Sequence, residues 1–69
     1  MIVLTTPTCH KCHTLEIRTA GLDLLFLDAT KDQTAIDLAM EYGVTSVPVL
    51  IDNKTVIRDY DEIIRYLGV

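Results

Sequence analysis

The chain has 69 residues, is 49% hydrophobic, and carries ten acidic against six basic side chains for a formal charge of −4. That is room for one small domain, near the lower size limit for a self-sufficient core. It is too apolar for a disordered chain, and two cysteines are too few for a disulfide-stapled miniprotein.

Ile2-Val3-Leu4 is a β-branched apolar run bounded by Pro7, the pattern of a buried strand too short to be a helix. Pro7 keeps Thr6 out of helical conformation and has no N–H for a ladder, so the strand ends there. Thr8 is expected as a helix N-cap, with Cys9 in the first turn of a helix running to about Ala20. Helical spacing sets Cys12, Leu15 and Thr19 on one face and Ile17 opposite, with Gly21 as C-cap. Leu22–Asp28 reads as a second strand, apolar on both sides in its middle, as a sheet covered on two faces by helices requires.

Thr30-Lys31-Asp32-Gln33 matches the S/T-x-x-E/Q capping box. The helix after it has a broad apolar face of Ala35, Ile36, Leu38, Ala39, Met40 and Tyr42, closed by Gly43, with Met40 and Tyr42 in the core or at its edge. Val49-Leu50-Ile51 and Thr55-Val56-Ile57 flank Asp52-Asn53-Lys54 as a β-hairpin. Asp59 or Asp61 caps a last helix, in which Ile63, Ile64 and Leu67 face inward before Gly68. The order is β-α-β-α-β-β-α. A right-handed crossover makes the first two strands parallel, and the hairpin extends the same sheet. The expectation is one α/β domain over residues 1–69, a four-stranded mixed sheet with helices on both faces.

Acidity and scattered basic residues, from Lys11 to Arg65, speak against nucleic acid or an anionic membrane as partner. No apolar run approaches the roughly 18 residues of a membrane span, and no signal-type segment opens the chain. A reducing cytoplasm is the expected location. There a Cys-x-x-Cys more often serves catalysis, redox exchange or metal binding than structure.

Cys9-His10-Lys11-Cys12-His13 contains both cysteines. At this spacing the thiols can close a disulfide over one helical turn, ligate a metal together with His10 or His13, or attach a haem, since Cys-x-x-Cys-His is the c-type attachment pattern. Against a structural zinc site, no second ligand pair lies elsewhere in the chain. Against haem stand the strand directly upstream and the sheet-rich element order.

Cys9-His10-Lys11-Cys12 between the first strand and first helix, with Ser46-Val47-Pro48-Val49 heading a later strand, resembles the thioredoxin/glutaredoxin superfamily. The resemblance covers Met1 to Val69, and the element order is similar to the minimal one of glutaredoxins. It implies a thioredoxin fold and a thiol–disulfide oxidoreductase with no bound cofactor and no metal. Cys9 would attack a substrate disulfide and Cys12 would resolve the mixed disulfide. The resemblance further implies a cis Val47–Pro48 bond, with Pro48 against the dithiol and the Val47 backbone offered to a substrate strand. Asp61 matches a substrate-binding aspartate before the last helix.

Physical chemistry agrees with these roles. A helix N-terminus favours the Cys9 anion, and Lys11, with His10 or His13 when protonated, adds positive charge nearby. Departures from the pattern narrow the subfamily. His10-Lys11 is neither the Gly-Pro of thioredoxins nor the Pro-Tyr of glutaredoxins. Thr6 and Ile57-Arg58 replace a lysine and a Gly-Gly pair that glutaredoxins use for glutathione. The first helix is also about a turn shorter than usual, which would open the groove beside it. The chain is most similar to short redoxins that act as thioredoxins. That implies a monomer, a disulfide-containing protein substrate such as ribonucleotide reductase, and a thioredoxin-reductase-like electron donor, with glutathione as the alternative.

Overall fold

The computed structural model describes residues 1–69. Its centre is β1 (Ile2–Thr5), whose period-two alternation sends Val3 to one face of the sheet and Leu4 to the other. Both side chains are wholly buried. Val3 packs with Leu15, Leu50 and Ile63, and Leu4 packs with Ala35, Val49 and Ile51. One strand therefore supplies the middle of two cores.

The remaining elements are α1 (His10–Arg18), β2 (Leu25–Asp28), α2 (Gln33–Glu41), β3 (Val49–Asp52), β4 (Thr55–Ile57) and α3 (Tyr60–Leu67). The sheet order is β2-β1-β3-β4. β1 runs parallel to β2, with Thr5 opposite Asp28, and antiparallel to β3, with Val3 opposite Leu50. β3 and β4 are antiparallel. Leu15 and Ile63 place α1 and α3 on the Val3 face, and Ala35 places α2 on the Leu4 face. The expected mixed four-stranded sheet with helices on both faces is present.

Helix boundaries follow local chemistry. In α3, Tyr60, Ile63, Ile64 and Leu67 fall at i, i+3, i+4 and i+7, and all four pack on the Val3 cluster. The Asp59 carboxylate caps the helix by accepting from Glu62 N at 3.4 Å, and Gly68 ends it at φ 74°. α2 ends in a Schellman motif: Gly43 takes φ 63°, Gly43 N donates to Met40 O at 3.4 Å, and Val44 N donates to Ala39 O at 2.8 Å. In the hairpin, Asn53 adopts φ 56°, a conformation asparagine tolerates better than most residues.

Four local expectations change. The cap of α2 is Asp32, whose Oδ1 accepts from Thr34 N at 2.9 Å and Ala35 N at 3.3 Å. Thr30 is engaged instead by Asp28, which accepts from both its N and its Oγ1, so no capping box forms there. Met40 is 77% exposed because the buried stripe of α2 is Ala35, Leu38, Ala39 and Tyr42, again i, i+3, i+4, i+7, and position 40 lies off it. The second strand begins at Leu25 rather than Leu22. Leu22 N donates to Thr19 O in a turn after α1, which ends at Arg18 rather than at Ala20, and ladder pairing starts where Leu25 N meets Met1 O. As an edge strand, β2 leaves Leu25 56% exposed, while Phe26 and Leu27 each reach a different core cluster.

Candidate functional site

Pro7 shapes the entrance to α1. Cys9 N donates to Thr6 O at 3.2 Å, closing a turn over Pro7 and Thr8. Thr8 is thereby kept out of the capping position and Cys9 becomes the N-cap, one place later than expected, with φ −84° and ψ 108°. Its Sγ accepts from Cys12 N at 3.1 Å. The sulfur takes the place of the serine or aspartate oxygen that ordinarily satisfies a helix's first free N–H groups. A negative charge on that atom would be stabilised by the same N–H and by the helix dipole.

Cys9 and Cys12 are joined as a disulfide with Cα atoms 5.2 Å apart. Their environments differ. Cys9 is half-buried at the rim, whereas Cys12 is only 3% exposed and sits on the inward face of α1 with Leu15. Reagents in solution meet Cys9 first.

The third element of the site comes from the loop before β3. The Val47–Pro48 bond is cis, Pro48 is buried and Val47 half-buried. Val47 O lies 3.8 Å from Cys9 Sγ. A disulfide sulfur has no hydrogen to donate, so this is a packing contact in the oxidised form and an available acceptor for the Cys9 thiol in the reduced form. It is the Val47 carbonyl that reaches the dithiol, and Pro48 borders neither cleft at the sulfurs.

Two clefts open around the sulfurs. One, of about 350 Å³, is bordered by Pro7, Thr8, Cys9, His10 and His13. The other, of about 280 Å³, runs along α1 past Cys9, Cys12, His13 and Glu16 to Thr5 and Asp28 on the strands. A third hollow, of about 220 Å³, lies on the far side of Val47 against Ala29, Ala39 and Val44.

No family model, curated protein or solved structure matches this chain.

Of the residues singled out in the sequence, Cys9, Cys12, His10, His13 and Val47 come together at one end of the sheet. Lys11 is exposed on α1 and borders neither cleft at the sulfurs. Asp61 is exposed in the first turn of α3 and lines none of the three hollows. No three His, Cys, Asp or Glu side chains converge as a metal-binding group.

Two carboxylates at the site were missed. Glu16 is four residues after Cys12 and could have been found by helical spacing alone. Asp28 enters through the parallel register that sets it opposite Thr5, and nothing in the sequence announces that register. Hydrogen bonds from the Thr30 hydroxyl and then from its backbone N–H hold the Asp28 carboxyl below the usual carboxylate range, with a smaller contribution from Lys31.

Proposed function

We propose that the protein is a dithiol–disulfide oxidoreductase of the thioredoxin/glutaredoxin superfamily, with a minimal thioredoxin-like fold. The observation that carries this reading is the placement of the two sulfurs: Cys9 Sγ at the N-cap of α1 accepting the Cys12 N–H, with Cys12 buried one turn on. The first sulfur has the environment of a nucleophile, partly exposed at a helix N-terminus. The second is shielded from every disulfide except one that already involves Cys9.

In the reducing direction the Cys9 thiolate attacks one sulfur of a substrate disulfide, and the other leaves as a thiolate. Cys12 then attacks Cys9 Sγ, forming the Cys9–Cys12 disulfide and releasing the second substrate thiol. Two electrons pass to the substrate, and an external donor restores the dithiol. Lys11, with His10 or His13 when protonated, adds positive charge near the thiolate. The Val47 backbone receives an extended substrate segment beside Cys9, and Asp61, exposed in the first turn of α3, meets the substrate outside the clefts. The substrate is a protein disulfide, such as that of ribonucleotide reductase, and the protein acts as a cytoplasmic monomer.

The reductant is a thioredoxin-reductase-like enzyme rather than glutathione. Supporting this, Ile57 packs on the Val3 core and the Arg58 guanidinium donates to Tyr42 O at 2.7 Å. The backbone that glutathione would have to approach therefore carries side chains committed to the fold. A coupled assay of disulfide reduction tests the choice, with NADPH and thioredoxin reductase in one arm and glutathione with its reductase in the other. Turnover is expected in the first arm. Turnover confined to the glutathione arm contradicts the assignment of the donor.

A further inference from the structure

The resolving step poses a problem of proton transfer. A free thiol titrates near 8.5 and must ionise to attack, and burial favours its protonated form. Cys12, only 3% exposed, needs a proton acceptor within reach. The strand beneath offers none, since Val3 and Leu4 are apolar and wholly buried. The polar wall beside Cys12 is the cleft of about 280 Å³, where the ionisable groups other than the two sulfurs are His13 and Glu16 from α1 and Asp28 from β2.

These three are not equivalent. Asp28 Oδ1 already accepts from Thr30 N at 2.8 Å and Thr30 Oγ1 at 2.5 Å, and the same bonds lower its affinity for a proton. His13 is four residues after Cys9, so helical geometry stacks it over the attacking sulfur's position. Glu16 is four residues after Cys12, one turn along the same face. Outside the helix ladder Glu16 is engaged only through its backbone carbonyl, which lies 3.5 Å from Thr19 Oγ1. Its carboxylate is free. A polar cleft of this size admits water that can bridge a carboxylate to a thiol.

We propose that Glu16 accepts the Cys12 proton, through water in this cleft, during resolution of the mixed disulfide. The inference rests on the dithiol reading above. As the Cys12 S–H proton passes to Glu16, the Cys12 sulfur bonds to Cys9 Sγ. The bond between Cys9 and the substrate sulfur breaks, and its electron pair leaves on the substrate thiolate. Glu16 then returns the proton to that thiolate or to solvent. No other oxidant or reductant enters the step.

Stopped-flow reaction of the reduced protein with the aromatic disulfide dithiobis(nitrobenzoate) separates the two steps. Attack by Cys9 releases one coloured thiolate and resolution by Cys12 releases a second. Glu16→Gln is expected to leave the first phase within about a factor of two and to slow the second roughly tenfold near neutral pH. The gap should narrow as pH rises through the ionisation of Cys12, where the thiolate forms without Glu16. Asp28→Asn is expected to leave the second phase unchanged. A purely structural role for Glu16 would not produce a gap that narrows with rising pH. A second phase in Glu16→Gln matching the unmodified protein at every pH overturns the proposal, as does a slow second phase in Asp28→Asn alone. Release of a single thiolate by the unmodified protein removes the dithiol reading and this proposal together. A two-phase unmodified protein with an unaffected Glu16→Gln removes only the role of Glu16.

Discussion

At the scale of single residues, the site is an exercise in which atom takes the first free N–H of a helix. Cys9 holds a position that Ser, Thr, Asp or Asn usually occupies, and its sulfur accepts from Cys12 N. That contact and the helix dipole stabilise the thiolate more than the neutral thiol, so they lower its pKa. Titration of the reduced protein by thiolate absorbance should therefore place Cys9 below the unperturbed value of about 8.5. A value at or above it would mean that the cap does not tune the sulfur. Asp28 gives a second residue-scale test. Its folded-state pKa is depressed by Thr30, so the stability it contributes is present above the unfolded carboxylate value of about 3.9. That stability is lost as pH falls through the folded value. Thr30→Val removes the hydroxyl bond and keeps the N–H. NMR titration should then show the Asp28 pKa moving up toward the ordinary range, and no movement would place the cause elsewhere.

At the scale of elements, capping and periodicity explain most of what could be read in advance and most of what could not. The buried stripe of α3 follows directly from spacing, and of the two caps the sequence offers, Asp59 and Asp61, the helix uses Asp59. The cap of α2 does not follow from spacing, because Thr30 and Asp32 both satisfy the sequence preference. The choice is made by Asp28, which takes Thr30 into its own turn. The start of α1 also departs from expectation, since the turn closed by Cys9 N and Thr6 O leaves Cys9 rather than Thr8 at the N-cap. In both places an oxygen just upstream draws the chain at the expected cap into a turn of its own, and local propensity is blind to that turn. Two substitutions separate the alternatives. Asp32→Ala should destabilise the protein by about 1 kcal/mol in denaturant unfolding, the usual worth of an N-cap, and Thr30→Ala by clearly less. The reverse order would restore Thr30 as the cap. Gly43→Ala meets no atom within 4 Å, so its expected cost of about 1 kcal/mol is that of a left-handed φ on an L-residue.

For the whole molecule, the fold class was legible because 69 residues leave few ways to bury two-sided apolar strands. The decisive run was Ile2-Val3-Leu4, whose alternate side chains feed two different cores. The site was half legible. Sequence spacing gives the two cysteines and their neighbours, while Val47 O and Asp28 reach the same end of the sheet only through strand order and register. A core this small has little redundancy. Leu4→Ala should cost about 2–5 kcal/mol, a large part of the total for a domain of this size, and be seen as loss of the cooperative thermal transition or a marked fall in Tm. Met40→Ala, off the buried stripe, should stay within about 0.5 kcal/mol.

The central claim is the division of labour between the two sulfurs, and covalent trapping on a disulfide-containing protein tests it most directly. Cys12→Ser leaves the attacking thiol without a resolving partner, so a stable, reductant-sensitive mixed disulfide through Cys9 should accumulate. Cys9→Ser should trap nothing, because the remaining thiol is buried. Adducts on Cys9→Ser and none on Cys12→Ser, or none on either variant, would contradict the account.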